Sequence, residues 1–435
     1  MRKFAKEINA ELNGQEIEFF GWVHETRLLG GIKFLVLKDR SGFIQVTALK
    51  KTTSPEVFKS FDALTKESFI SVKAKVQASK EAPNGVELLP LSLEVISKAA
   101  VPLPLDTSGK IESDLSVRLD HRYLDIRNPK SIAIFQLRAK IAKYCSDYFE
   151  ENSFINVQTP KLTEAGLESG SEMFAVKYYD KTASLAQSPQ LYKQMLIVAG
   201  FEKVYEIAPV FRAEKSHTVR HLTEFTGIDF EIANIKDFND VMDEQEKMVR
   251  FMLEKMQAHK DLYGQFNVEA VIPKKIPRLK MSEAKKILKK EFNKSISEED
   301  DLDAEAEKML GDYALKEFGS EFIFVTNYPW GKRPFYHMKD AQEPETTLSF
   351  DLLWKGTEIT TGSQREHRYE VLLKQAKEKG LQAKQGNPYF DMFRFGPPPH
   401  GGAGNGLDRM TKQFLGMENI RECILFPRDP ERLSP

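Results

Sequence analysis

Cysteine is nearly missing: 435 residues contain two, Cys145 and Cys423, and no Cys-x-x-Cys pair. That excludes a disulfide scaffold and leaves no zinc-ribbon or dithiol signal. Long apolar runs are missing as well; none reaches the roughly 18 residues that a membrane-spanning helix needs. The opening MRKFAKEINAELNG lacks the continuous apolar core of a secretion signal, so a cytoplasmic location is expected. An excess of one charge is also lacking, since 63 Lys and Arg stand against 64 Asp and Glu. Bulk charge therefore does not announce a polyanion partner, although basic side chains gathered on one face could still hold one.

Several familiar signatures are absent too. The glycines at 401–406 follow Phe395-Gly396-Pro397-Pro398-Pro399-His400 rather than an apolar strand, and no Gly-Lys-Ser/Thr follows them, so dinucleotide and P-loop readings fail. Ser188 sits in Gln187-Ser188-Pro189-Gln190-Leu191-Tyr192-Lys193-Gln194 without a G-x-S-x-G elbow, which argues against a nucleophilic serine. His217 and His221 have zinc-protease spacing, but Thr218 stands where the glutamate belongs.

What is present is a globular composition, 41% hydrophobic and 29% charged, long enough for two or three domains. Segments 16–24, 32–38, 43–49, 69–77 and 86–96 are strand-like, with turn signals between them. Five short strands in residues 1–100 predict a small barrel, with an OB-fold leading and an SH3-like barrel as rival. Residues 101–128 begin Val101-Pro102-Leu103-Pro104 and read as a linker. A second domain spans 129–435. It opens on a helix with Asn128 as N-cap, Pro129 at the first position, and Ile134, Leu137, Ile141, Cys145 and Tyr148 on its buried face. Strands at 203–214, 222–233, 321–328, 347–361 and 400–407 come in pairs, which favours an antiparallel α+β core over a doubly wound sheet. Residues 262–320, lysine-rich then acidic, read as a solvated helical insertion or, alternatively, a binding patch.

Three constellations could carry chemistry. In the first, Val210-Phe211-Arg212-Ala213-Glu214 is followed by Arg220-His221-Leu222-Thr223-Glu224-Phe225. Strand alternation puts Arg212 and Glu214 on one face. The pattern around Gly227 reads as a phase slip, and hence a β-bulge, that gathers Arg220, Asp229 and Glu231 with them. A plain salt-bridged sheet is the competing account. In the second, Asp351 and Glu358 flank the predicted turn Trp354-Lys355-Gly356-Thr357 and could hold Mg²⁺ against polyphosphate oxygens, with Thr361 and Arg365 following. The third is Gly401-Gly402-Ala403-Gly404-Asn405-Gly406-Leu407-Asp408-Arg409, where glycines would let backbone approach an anion or a base.

Together these segments resemble the signature motifs of class II aminoacyl-tRNA synthetases. The Phe-Arg-Ala-Glu … Arg-His-Leu-Thr-Glu-Phe stretch looks like motif 2 and Gly-Leu-Asp-Arg like motif 3. The helix at 130–151 with Phe154-Ile155-Asn156-Val157-Gln158-Thr159-Pro160 looks like motif 1. The barrel and the motif order resemble the Asp/Asn/Lys subgroup. The wording of 187–194 and the ending Leu425-Phe426-Pro427-Arg428-Asp429 are similar to its archaeal and eukaryotic aspartyl branch.

The resemblance implies ATP-dependent activation of L-aspartate and its transfer to tRNA. It implies that Arg212 contacts the α-phosphate and the substrate carboxylate. Glu214, Arg220, His221, Leu222, Phe225, Gly406, Leu407, Asp408 and Arg409 would serve ATP, with Phe225 stacked on adenine. Asp351, Glu358 and Thr361 would hold Mg²⁺. Glu168, Gln190, Lys193, Asp229, Thr361 and Arg365 would hold aspartate, under a mobile loop at 168–172. It further implies a homodimer with Pro160 near its axis.

In the barrel, Arg27, Phe34 and Gln45 match anticodon contacts, although Phe34 could instead be a core aromatic. His24 and Pro83 resemble relatives that accept both tRNA(Asp) and tRNA(Asn), the latter product needing an amidotransferase. An enzyme that discriminates in favour of tRNA(Asp) is the nearest alternative; an asparagine enzyme is a further one, disfavoured because Lys193 beside Arg365 would give two cations for a side-chain carboxylate. A paralogue that does not charge tRNA is the alternative from another class. Asn405 departs from the aliphatic residue usual in motif 3.

Overall fold

The computed structural model describes residues 3–82, 84–111, 113–164, 173–213, 218–381 and 386–435. The chain divides into two compact units at Ile132/Ala133, inside the helix Pro129–Glu151 rather than before it.

In the first unit, β1 (Glu16–Leu28), β2 (Ile32–Asp39), β3 (Gly42–Leu49), β4 (Phe69–Ala78) and β5 (Val86–Ser97) close a barrel in the order β1-β2-β3-β5-β4. Period-2 alternation sends Phe19, Leu35, Leu37, Ile44, Val46, Ile70, Val72 and Leu88 inward, all essentially unexposed. Each such side chain contributes roughly 1.5–3 kcal/mol of transfer free energy. The expected five-stranded barrel is therefore present. Among its irregularities, the β1–β2 register jumps between Val23 and Glu25, so His24 sits in a β-bulge.

The second unit is built on an eight-stranded sheet. Its strands, in chain order, are β6 (Ile155–Asn156), β10 (Lys203–Phe211), β11 (Glu224–Ala233), β12 (Arg278–Lys280), β13 (Phe322–Thr326), β14 (Ser349–Trp354), β15 (Thr357–Gln364) and β16 (His400–Gly406). The spatial order is β12-β13-β14-β15-β16-β11-β10-β6, antiparallel through the middle with one parallel pair at each edge. A small sheet of β7 (Leu162–Glu164), β9 (Lys181–Leu185) and β8 (Ala175–Tyr178) accompanies it. The α+β expectation holds; the short edge strands and the small sheet carry too few residues to announce themselves.

One face of the large sheet is covered by Pro129–Glu151 and Phe238–Met256. Asn128 Oδ1 accepts the Lys130 N–H at 2.9 Å and so caps the first of these helices. Ile134, Leu137, Ile141, Cys145 and Tyr148 are buried with Ile228, Phe230, Phe324, Phe350 and Leu352. The other face carries the site. Towards its β12 end it is covered by Met281–Phe292 and Ala304–Phe318, whose Ala284, Leu288, Leu310 and Ala314 pack on Ile323, Val325 and Leu353.

The 262–320 segment is thus not a solvated appendage: it supplies β12 to the sheet and two packed helices. Contact is close enough that a Cβ on Gly311 would lie 2.4 Å from the backbone nitrogen of Gly356. Lys355 and Gly356 both have positive φ, 48° and 68°, as a type I′ hairpin turn requires, and they form the predicted turn.

Candidate active site

The site forms because strands present alternate side chains to one face. On β11, Phe225, Gly227 and Asp229 line a cavity of about 630 Å³, while Ile228, Phe230 and Ile232 enter the core. The alternation runs unbroken: β10 and β11 pair from Lys203↔Ile232 to Phe211↔Glu224 without a shift. The expected bulge at Gly227 is therefore absent. Phe225 misled the reading, because it is an apolar residue on the polar, cavity-facing side.

A bulge does occur one hairpin away. Leu352 pairs with Thr360 and Leu353 with Glu358, leaving Ile359 as the extra residue. Glu358 and Thr361 are three apart, which in a regular strand puts side chains on opposite faces. The bulge brings both to the cavity, where Thr361 Oγ1 donates to Glu358 Oε1 at 3.2 Å, and sends Ile359 into the core.

Around Glu358 the cavity is cationic. Arg212, Arg220, His221, Arg333 and Arg409 line it together. Burial works to raise the Glu358 carboxyl, but Arg409, Arg333 and Arg212 outweigh it and hold the group below its ordinary value. Arg212 lies over the Phe225 ring, 5.2 Å from its centroid.

Asp351 stands behind this wall rather than on it. Arg333 Nη2 donates to its Oδ2 at 2.7 Å, and its Oδ1 is buried without a hydrogen-bond partner. Burial, with Glu358 adding to it, keeps Asp351 above the usual carboxylate range despite Arg333. An orphaned carboxylate oxygen, a second carboxylate and a hydroxyl are hard oxygen donors of the kind Mg²⁺ takes alongside phosphate oxygens. Among the described residues no cluster of three His, Cys, Asp or Glu forms a protein-only metal cage.

Sequence reasoning missed Glu307. It arrives from the helix Ala304–Phe318, pairs with Arg220 at 3.0 Å and accepts the Glu358 backbone N–H at 3.4 Å. Burial and the nearby Glu358 push its carboxyl up to about 7. No local pattern marks it, because it reaches the site across 51 residues of chain.

At the other end, Arg365 is buried between β11 and β16. Its Nε and Nη2 donate to the two Glu231 carboxylate oxygens at 2.8 and 3.2 Å, and Nη2 also donates to the Gly402 carbonyl at 2.9 Å. Its Nη1 donates to Ser363 Oγ at 2.6 Å and to His337 Nε2 at 3.3 Å. Lys193 does not line the cavity. It is buried behind Asp229, 3.1 Å from Asp229 Oδ1 and 3.2 Å from Glu231 Oε2. Two cations and two carboxylates thus neutralise one another, where the sequence alone led us to expect two uncompensated cations.

The glycines of 401–406 lie in the expected strand, β16. A Cβ on Gly402 would meet Glu231 Oε2 at 2.2 Å, and one on Gly404 would meet Asp229 Oδ1 at 2.9 Å. Gly402 and Gly404 make room for carboxylates of the neighbouring strand, while Gly404 and Gly406 also bring backbone to the cavity wall.

Asn405 has an explanation too: its Oδ1 accepts from Gln245 Nε2 and Thr360 Oγ1, both at 2.6 Å, and its Nδ2 donates to the Ile228 carbonyl at 3.1 Å. Asp408 lines the cavity and is engaged by Arg138 Nε at 2.8 Å and the Thr226 N–H at 3.0 Å, which also ties the long helix to the sheet. Gln190, Leu222, Gly406 and Arg409 line the cavity, while Leu407 belongs to the core. Glu168, Glu214 and Pro83 lie outside the described residues.

On the barrel, Arg27 pairs with Phe34 and Phe34 with Thr47; Glu25 pairs with Val36, Val36 with Gln45 and Gln45 with Glu87. Directly paired residues share a face, so Arg27, Phe34 and Gln45 form one outer platform. Phe34 is half-buried, between the buried Lys33 and Leu35 along β2, and takes no part in the barrel core. The His24 ring packs at 4.8 Å on Phe43, whose carbonyl accepts from Asn84 Nδ2 at 2.6 Å. Position 24 and the loop after position 83 are thereby linked.

A mostly antiparallel sheet with an arginine-lined cavity, in a chain that also carries an OB barrel, defines a nucleotide-using enzyme with a nucleic-acid-binding module. Residues 114–430 match the model of tRNA synthetases class II (D, K and N), and residues 17–96 match the OB-fold nucleic acid binding domain. The chain belongs to the class II tRNA synthetases. It is 44% identical to the aspartate–tRNA(Asp) ligase of Pyrococcus horikoshii, over 99% of each chain. It is also 44% identical to the aspartate–tRNA(Asp/Asn) ligase of Aeropyrum pernix, over 98% of this chain and 96% of that one. Among solved structures, asparaginyl-tRNA synthetase from Pyrococcus horikoshii with asparaginyl-adenylate superposes with a TM-score of 0.94 at 33% identity, covering 100% of both chains.

Proposed function

We propose that the chain is an aspartate–tRNA ligase that activates L-aspartate with ATP and charges both tRNA(Asp) and tRNA(Asn). The observation that carries the reading is a single cavity with two chemically distinct ends: arginines and Glu358 at one, Asp229 and Arg365 at the other. The first suits a triphosphate and the second an amino acid bearing an amine and an acidic side chain. The fold alone does not choose between aspartate and asparagine. The 44% identities to aspartate enzymes favour aspartate.

In this reading the aspartate α-carboxylate attacks the α-phosphorus of ATP and pyrophosphate leaves. The tRNA terminal hydroxyl then takes the aspartyl group and AMP departs. Arg212 faces the point where phosphate charge shifts, and fixed positive charge there lowers the barrier. Arg409 holds the nucleotide from the far side, and Asp229 takes the amine. Asp351, Glu358 and Thr361 would hold Mg²⁺, which when bound neutralises polyphosphate oxygens. Positioning and charge supply the catalysis, so no protein nucleophile is needed.

The barrel platform of Arg27, Phe34 and Gln45 would receive a splayed anticodon, with Phe34 as stacking surface. His24, neutral because burial, Lys38 and Lys66 hold its pKa down, presents a small polar group at the base that distinguishes the two tRNAs. Aspartyl-tRNA(Asn) would pass to an amidotransferase. A homodimer is supported by the exposed apolar residues Ile155, Leu162, Phe174 and Tyr178 around the motif 1 strand and small sheet. Among the described residues no helix is long and apolar enough to cross a membrane, in keeping with work in the cytoplasm.

The test is ATP–pyrophosphate exchange with aspartate and with asparagine, then aminoacylation of both transcripts at one salt concentration. Exchange with asparagine alone would overturn the amino-acid assignment. A preference for tRNA(Asp) of about a hundredfold, near 2.7 kcal/mol, would overturn the dual tRNA assignment.

A further inference from the structure

Arg365 has five N–H donors, and five protein acceptors take them. Four of those acceptors belong to the sheet: both Glu231 oxygens, Ser363 Oγ and the Gly402 carbonyl. The fifth is His337 Nε2, which comes from the loop after the turn at Trp330–Lys332 and makes the longest contact, 3.3 Å. A guanidinium can only donate, so Nε2 must carry the lone pair and the ring proton must sit on Nδ1. That Nδ1 is buried and has no hydrogen-bond partner. The ring is therefore held by one long hydrogen bond beside its contact with the Tyr336 ring, 5.2 Å between centroids, and leaves a buried donor unpaired, so little hydrogen bonding is lost when it moves. His337 lines the cavity beside Arg365. Burial and the cations Arg365, Arg333, Lys193 and Lys379 hold its pKa well below the ordinary value, so it stays an acceptor.

We infer that His337 is a specificity-determining residue: it occupies the Arg365 donor that the substrate's side-chain carboxylate needs, and the ligand must displace it. This rests on the aspartate reading above. The exchange is unequal for the two amino acids. A carboxylate replaces a neutral nitrogen acceptor by an ion pair with the guanidinium, which adds full charge–charge attraction to the hydrogen bond. The amide oxygen of asparagine replaces one neutral acceptor by another and gains nothing, while the His337 ring loses its one hydrogen bond. A neutral stand-in thus passes the acid and resists the amide. Selectivity arises from competition inside a site whose charges are already balanced, and no additional cation is required.

The experiment uses the full-length protein and aspartate-dependent pyrophosphate exchange, with asparagine as inhibitor. The variants are His337→Leu and His337→Phe, which remove the acceptor, and His337→Gln, which keeps one. The two acceptor-free variants guard against one failing to pack, and thermal melting checks each. The ratio of the asparagine Ki to the aspartate KM should fall by roughly threefold or more in a folded acceptor-free variant and stay near wild type in His337→Gln, with the KM for ATP unchanged. A smaller fall, an equal fall in His337→Gln, or a parallel rise in the KM for ATP overturns the inference. Failure of the wild type to use aspartate at all would instead remove the functional reading beneath it.

Discussion

Arg409 touches Glu358 twice: its Nη1 lies 3.2 Å from the carboxylate Oε1 and donates to the same residue's backbone carbonyl at 3.1 Å. The arginine of one motif is thus seated on the carboxylate of another, and nucleotide binding must redistribute that contact. Glu358→Gln keeps the shape and the backbone contact but removes the charge. Pyrophosphate exchange should fall at least a hundredfold while the melting temperature stays within a few degrees. Exchange measured across a Mg²⁺ titration checks this; a variant with normal rate at ordinary Mg²⁺ would place the metal elsewhere.

Lys193 is a harder residue to interrogate than its sequence context implies. It neutralises Asp229 and Glu231, both buried. Removing it by Lys193→Leu leaves uncompensated buried charge, which costs about 3–5 kcal/mol. Urea unfolding should register that loss before kinetics are interpreted. Restoring neutrality with Lys193→Leu plus Glu231→Gln should recover part of the stability but not aspartate-dependent exchange.

The buried trio Gln245, Thr360 and Asn405 makes a stability prediction with an internal control. Asn405→Leu takes an acceptor from both Gln245 Nε2 and Thr360 Oγ1 and leaves them only their mutual contact at 3.2 Å, at a cost of about 1–3 kcal/mol. Replacing all three by Leu, Val and Leu removes the unpaired groups together and should cost less than the single change. Equilibrium denaturation of the two proteins decides it.

His400 should make the fold acid-labile. Its Nδ1 donates to the Pro398 carbonyl at 2.9 Å and its Nε2 faces Gln194 Nε2 at 3.0 Å, so the ring must be neutral. Burial pushes its pKa down to about 4 from 6.5. The unfolded chain binds the proton more readily, so the contribution is complete above pH 6.5 and is lost as pH falls toward 4. Between pH 7 and pH 5 the loss is about 1–2 kcal/mol. The raised carboxyls of Glu307 and Asp351 act in the opposite sense. The clean measurement is the wild type minus His400→Asn difference in urea, which should shrink on acidification.

Much of this was legible in the chain. The barrel strands, the capped helix with Ile134, Leu137 and Ile141 inward, and the Lys355-Gly356 turn follow from local periodicity and turn chemistry, and the structure keeps them. The misreadings concern strand phase. Phe225 is apolar on a polar face, so side-chain character gave the wrong strand phase there, and the bulge at Ile359 left no sign that alternation could read. Glu307, His337 and Gln245 were invisible for another reason: each meets the site only through tertiary contact, and no spacing along the chain encodes it. Lys193 was recognised as a residue, but its partners Asp229 and Glu231 lie on another element, so its charge was taken as available.

The close seating of Gly311 on Gly356 has a consequence for how the molecule breathes. Backbone meets backbone there with no side chain to slide or rotate, so the hairpin that carries Glu358 cannot part from the helix that carries Glu307 by small adjustments. The two should exchange their amide hydrogens with solvent as one block, at one opening free energy, and a bulky residue at Gly311 should loosen the hairpin's protection as much as the helix's own.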